Sequence, residues 1–96
     1  MTPRIARFEW DNANLGHIAK HLVAREEVEQ AFLDPFSILD LYNNDRGERR
    51  YRMLAETSDG RVLIVIFAIR KQSIRTVTAF SAKSKLLAKY RRRETT

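Results

Sequence analysis

The sequence predicts an α+β protein, an antiparallel β-meander packed with two N-terminal helices and a C-terminal helix in the order β-α-α-β-β-β-β-α. Three observations carry this. Residues 62–69 form an unbroken apolar, largely β-branched run, too short to span a bilayer and the right length for a central strand. Residues 49–57 and 74–80, on either side of it, alternate apolar with polar as half-buried strands do. Before residue 34 and after residue 81 the apolar residues instead recur every three or four positions, which is helical spacing.

Taken in order, residues 7–10 read as a short strand. Asp11 can cap the helix that follows by accepting from its first free backbone N–H groups. Leu15, Ile18, Ala19 and Leu22 recur at helical spacing, and the helix is expected to run to about residue 21. A second helix is expected over 25–33. Val28, Ala31 and Phe32 form its apolar stripe, and Glu26 and Glu27 stand in the first turn, where the helix dipole favours acids. Pro35 closes it, because a residue before proline is steered out of the α region.

The period changes after Phe36. Residues 37–42 read as a strand on Ile38, Leu39 and Leu41, and residues 43–47, including Asp45, as a turn. Tyr51, Met53 and Ala55 mark the next strand. Ser58-Asp59-Gly60-Arg61 has hairpin chemistry, the Asp-Gly pair supplying positive φ. After the last strand Ser81 is expected to cap a helix in which Leu86, Leu87 and Tyr90 pack inward while Lys83, Lys85, Lys89 and Arg92 face out. Such a meander leaves one face for the helices and one for a ligand.

Composition narrows the classes. Ninety-six residues suit one domain, 1–96. With 44% hydrophobic and 31% charged residues the chain is globular rather than disordered. It has no cysteine, so disulfides and cysteine-based zinc sites are excluded and a reducing cytoplasm is permitted. Residues 1–10 hold no apolar run like a signal peptide, so a soluble protein without a membrane partner is expected. The net charge is +6, unevenly spread. Residues 1–69 hold nine Lys/Arg and eleven Asp/Glu, a balance of −2, whereas residues 70–96 hold nine and one, a balance of +8. A polyanion is the natural partner for such a surface, because each neutralised phosphate releases condensed counterions. A solvated basic helix is the plainer alternative.

His17 and His21 stand four residues apart and share a helix face. His-x-x-x-His is also metal-ligand spacing, but zinc needs a third protein ligand and its hydrolases usually place Glu beside the first His. Gly16 and Ile18 flank His17, so no metal is expected. Either imidazole can act as general acid or base near neutral pH, or both can bond to neighbouring loops. The arginines are the stronger signal. Arg49, Arg50 and Arg52 open one strand, Arg50 and Arg52 on the same face, and Arg75 lies on a later strand. Attack of an RNA 2′-OH on phosphorus builds charge that fixed guanidiniums stabilise without metal or cofactor. They can equally pair with Asp40, Glu48 and Glu56 across the sheet. Trp10, Tyr51 and Tyr90 can stack on bases, but each falls in phase with a core stripe.

Several groups of residues follow one another in a specific order. Early come Phe8-Glu9-Trp10-Asp11, Asn14, His17-Ile18-Ala19-Lys20-His21, Glu26-Glu27-Val28-Glu29 and Phe32-x-Asp34-Pro35. Later come Gly47-Glu48-Arg49-Arg50-Tyr51, Asp59-Gly60-Arg61, Ile74-Arg75, Thr78-Ala79 and Tyr90. Over residues 8–92 the chain resembles the BrnT-type toxins of bacterial type II toxin–antitoxin systems. The resemblance implies a RelE-like fold and a cytoplasmic, metal-independent ribonuclease that cleaves RNA and inhibits translation. It also implies a cognate antitoxin with a ribbon-helix-helix domain, DNA being bound only through the complex. On this resemblance His21, Arg50 and Arg75 are the catalytic candidates, with His17 and Tyr90 as further ones. Arg49, Arg52, Lys83, Lys85, Lys89 and Arg92 are the RNA-binding candidates. Three departures stand out. Phe80-Ser81 occupy the place of a charged pair, Leu22 that of a glycine, so that the helix exit should differ, and Ala24-Arg25 that of Thr-Pro. A catalytically weakened module that binds RNA or an antitoxin-like protein is the alternative reading.

Overall fold

The computed structural model describes residues 7–44 and 46–94; Asp45 of the expected turn and residues 1–6 lie outside them. The elements follow the expected order: β1 (Arg7–Glu9), α1 (Asn12–Ala19), α2 (Arg25–Ala31), β2 (Ile38–Asn43), β3 (Arg49–Glu56), β4 (Val62–Arg70), β5 (Ser73–Ser81) and α3 (Ser84–Glu94). The sheet runs β1-β5-β4-β3-β2. Strands β2 to β5 form the antiparallel meander. β1 adds to the far edge in parallel, pairing Phe8 with Ile74.

The alternation of β4 decides where the helices go. Leu63, Val65 and Phe67 point to one face, which α1, α2 and the loop between them cover with Ile18, Val23, Val28 and Ala31. Val62 and Ile64 point to the other, where Leu54, Phe80 and α3 gather around the buried Tyr90. Helices therefore pack on both faces, and the expectation of one face left wholly to a ligand is corrected. The physical reason is that Leu86, Leu87 and Tyr90 need apolar cover, which the second face offers at its Leu54–Ile64–Phe80 end. The polar end of that face, with Arg50, Arg52 and Arg75, lies outside this packing.

Local details also depart from expectation. Asp11 caps α1 as expected: its Oδ1 accepts from the Asn14 N–H at 3.0 Å, and Asn14 Oδ1 accepts in return from the Asp11 N–H at 2.8 Å. Asn14 is buried and donates to the carbonyls of Glu9 and Thr76, which ties the helix to β1 and β5. The helix stops at Ala19, short of residue 21, and Ala19 and Leu22 are exposed rather than on the inward stripe. The exit was expected to change for want of glycine, yet it still turns through a left-handed residue, Leu22 with φ 60°. α2 likewise stops at Ala31, and Glu27 Oε1 accepts from the Ala24 N–H at its start.

Ser81 does not cap the last helix. It pairs with Leu63 as the final residue of β5, the ladder continues with Ala82 N–H to Val62 O, and α3 begins at Ser84. Its hydroxyl instead accepts from Arg61 Nε at 2.9 Å.

One irregularity matters for function. Ile66 pairs with Thr78 but Phe67 pairs with Thr76, which leaves Val77 as an extra residue in β5. A bulge inverts the alternation beyond it. Phe80 and Thr78 share the face of Ile64 and Ile66, and the bulge brings Arg75, opposite Ala68, to that same face.

Candidate active site

Arg50 and Arg75 face the same side of the sheet from β3 and β5, with β4 between them. The residue of β4 that separates them is Ala68, paired with Arg75 and one step beyond the Tyr51–Phe67 pair. A methyl group there leaves room for two guanidiniums. Both arginines, together with His17, Asn14, Thr76 and Val77, line a cleft of about 200 Å³.

His17 enters from α1, and its Nδ1 lies 3.2 Å from the carbonyl oxygen of Val77, the bulge residue. A carbonyl only accepts, so this contact favours the tautomer with the proton on Nδ1. In the neutral ring Nε2 is then left as the acceptor, the form a general base requires.

Each arginine already has an acidic neighbour. Arg75 Nη1 donates to Asp11 Oδ2 at 2.8 Å. That bond, with the Asn14 N–H on the same carboxylate, holds Asp11 below the ordinary carboxylate range. Arg50 Nη2 lies 3.5 Å from Glu48 Oε1, and its Nη1 donates to the Arg49 carbonyl. The Asn44 side chain, and after it the Arg50 charge, hold Glu48 low as well. Both guanidinium side chains are about one-fifth exposed, 21% for Arg50 and 23% for Arg75, so a ligand can reach them.

His21 lies four residues beyond His17, past the end of α1 and outside this cleft. It borders a neighbouring cavity of about 640 Å³ with Phe80, Thr78 and Lys83, its ring 5.7 Å from that of Phe80. Arg52 pairs with Asp40 across β2 and β3 at 3.2 Å, the structural use foreseen for strand cations. Arg49, Lys85, Lys89 and Arg92 are exposed and line neither cavity. Tyr90 is only 1% exposed, and its hydroxyl donates to Asp34 Oδ2 at 2.6 Å with Glu56 Oε1 at 3.3 Å. That network ties α3 to the α2–β2 turn and to the end of β3, away from the arginine cleft. Trp10 and Tyr51 pack against the core, Trp10 donating from Nε1 to Glu29.

Arg61 had no assigned role in the sequence. Its guanidinium donates to the carbonyls of Leu22 and His21, to both carboxylate oxygens of Glu27 and to Ser81. It thereby pins the His21–Leu22 loop against the start of α2 and the end of β5. The only local signal was a cation just after the Asp-Gly turn, which does not reveal partners some 40 residues away. Among the described residues no three His, Asp or Glu come together that could hold a metal ion, and no helix is long and apolar enough to cross a membrane.

Comparison with known families bears on this geometry. Residues 10–85 match the ribonuclease toxin BrnT of type II toxin–antitoxin systems. The chain belongs to the BrnT family. The match spans most of the sequence and takes in β2 to β5, both N-terminal helices and every residue of the arginine cleft. A search of curated proteins found no match. Membership of the BrnT family makes the chain a ribonuclease toxin by kind, with RNA as the substrate class and an antitoxin as partner.

Proposed function

We propose that this BrnT-family chain is a cytoplasmic, metal-independent endoribonuclease that inhibits translation, and that a cognate antitoxin with a ribbon-helix-helix domain neutralises it. The observation that supports it is the convergence of Arg50, Arg75 and His17 on one cleft of the sheet face. In this reading the two guanidiniums grip the non-bridging oxygens of the scissile phosphate. A base takes the proton of the 2′-OH, the 2′ oxygen attacks phosphorus, and the P–O5′ bond breaks. The products are a 2′,3′-cyclic phosphate and a 5′-OH, the latter completed by a proton from an acid. Negative charge growing on the phosphorane lies between two fixed cations, the electrostatic term that usually dominates such catalysis.

His17 Nε2 is the base that the contact with Val77 favours, and His21 faces the adjoining cavity. Lys83 at the rim of that cavity and the exposed Lys85, Lys89 and Arg92 of α3 supply longer-range attraction for RNA. DNA is met only through the antitoxin. The test is growth arrest on expression, with cleavage of total RNA in excess EDTA by the purified protein. Arg50→Ala and Arg75→Ala should abolish both while leaving the fold intact, and His17→Ala should cost more activity than His21→Ala. An Arg50→Ala variant as toxic as wild type would refute the assignment.

One observation favours a second reading. Asp11 and Glu48 already neutralise part of the charge on Arg75 and Arg50, and Phe80 brings no cation to the same face. A chain weakened in this way binds RNA or an antitoxin-like protein without cutting. Intact RNA together with salt-dependent RNA binding would favour that reading.

A further inference from the structure

We propose that the cavity beside the arginine cleft is a nucleobase pocket, which takes one base of a single-stranded RNA whose phosphate lies on Arg50 and Arg75. The inference rests on the reading of the cleft as a phosphate site and adds the group that would read the RNA.

The cavity, about 640 Å³, is lined by Ile64 and Phe80 from the sheet, with His21, Leu22, Thr78 and Lys83 around them. Phe80 packs against the core beneath α3, yet it remains only partly buried and its ring borders the open cavity. A partly exposed aromatic ring held on a strand is what a base needs for stacking. The His21 ring stands 5.7 Å from the Phe80 ring at an angle of 54°. That is closer than the roughly 6.8 Å that two 3.4 Å stacking steps require, so a base does not slide between them. It lies against Phe80, with the imidazole at its edge. Thr78, His21 and Lys83 then offer a hydroxyl, a ring nitrogen and an ammonium to the polar rim of the base. An apolar floor with a few convergent polar groups is the usual form of such a site.

Position supports the same ligand. Thr76 and Val77 line the arginine cleft and Thr78, the next residue of β5, lines the cavity. His17 and His21 repeat that adjacency on the helical side. Arg75 and Thr78 stand opposite Ala68 and Ile66, two residues apart on β4, so at about 3.3 Å per strand residue they are roughly 7 Å apart along the sheet, a span for a phosphate and its adjoining base. Arg61 also borders the cavity but is no ligand. Each nitrogen of its guanidinium already donates within the chain, to Ser81, to Glu27 and the Leu22 carbonyl, and to the His21 carbonyl, so it fixes the wall.

The test uses fluorescein-labelled 2′-O-methyl RNA, which cannot be cleaved by 2′ attack, with one abasic site moved along the strand. Binding to the full chain is read by anisotropy. One abasic position should weaken wild-type binding about tenfold, the scale of a lost base–aromatic stack. The profile should be flat for Phe80→Leu, which keeps apolar volume without a ring, and Phe80→Tyr should keep the dip even if the leucine variant folds poorly. Arg50→Ala should weaken every member of the series alike. A flat wild-type profile, or a dip that survives in folded Phe80→Leu, would overturn the pocket. So would an antitoxin peptide whose binding alone depends on Phe80. Cleavage of unmodified RNA is measured alongside. A retained dip without cleavage would leave the pocket standing and defeat the ribonuclease reading alone.

Discussion

The two oxygens of Asp11 serve two elements: Oδ1 caps α1 through the Asn14 N–H, and Oδ2 accepts from Nη1 of Arg75 at 2.8 Å. The helix start and the Arg75 guanidinium thus share one carboxylate. Its folded pKa is lowered from the ordinary 3.8, first by Arg75 and then by the Asn14 amide. A lowered carboxylate contributes stability above its unfolded pKa and loses it as pH falls through the folded value. In an NMR titration Asp11 should therefore have its midpoint below 3.8, and Arg75→Ala should move it upward. An unchanged midpoint would show that the pair does not persist in solution.

On the proposed function, Asp11 competes with RNA for Arg75. Asp11→Asn retains a good helix cap while removing the charge from Arg75. Affinity for single-stranded RNA should rise a few-fold at low salt. The slope of log affinity against log salt should steepen by up to about 0.7, one more phosphate contact. Weaker binding by Asp11→Asn would mean that Asp11 orients Arg75 rather than competing for it.

Arg61→Gln removes the latch on the His21–Leu22 loop. Its hydrogen bonds to Glu27, Ser81 and two carbonyls include a charge pair less than one-third exposed on both sides. Loss of about 2–3 kcal/mol is expected, since charged hydrogen bonds lie at the upper end of the usual range. Urea unfolding would read it as a lower midpoint at constant slope.

The polarity of these positions was legible in the sequence, but their geometry was only half so. The run at 62–69 and its alternating neighbours fixed β3, β4 and β5 to within a residue or two, because burial on two faces leaves a strand one choice of register. Arg50 and Arg52 on one face follow from the same period. Arg75 does not. Counting back by twos from Phe80 puts it on the opposite face, and only the extra residue Val77 returns it to Arg50. A bulge has little signature in a single alternating segment. The side of α3 was hidden for another reason: an amphipathic helix states that it needs cover, not which sheet face will provide it. Arg61 was missed because its partners come from a loop and a helix some 40 residues earlier and a strand end 20 residues later.

Tyr90→Phe separates structure from chemistry. The hydroxyl lies 2.6 Å from Asp34 Oδ2, which also accepts from the Glu56 N–H at 2.8 Å. Removing it should cost about 1–2 kcal/mol by leaving a half-buried carboxylate short of one donor. RNA cleavage at temperatures where the variant is folded should match wild type. A fall in cleavage without a fall in stability would place the hydroxyl in the chemistry after all.

The hairpin that carries β5 back along β4 closes with Arg70 opposite Ser73. Its two central residues, Lys71 at φ 47° and Gln72 at φ 68°, are both left-handed. Two-residue turns of this hand match the twist of the strands but favour Asn-Gly. Holding side chains other than Gly, Asn or Asp there costs about 1–2 kcal/mol each. Replacing Lys71→Asn and Gln72→Gly relieves most of that, less the freedom that glycine adds to the unfolded chain, about 0.4–1 kcal/mol. A net gain of about 1–2 kcal/mol is expected, read as a higher urea midpoint. Leu22→Gly, at an 83% exposed residue with φ 60°, should give a smaller gain by the same argument. If neither variant raises the midpoint, the left-handed residues are not strained in solution and the two turns take other forms there.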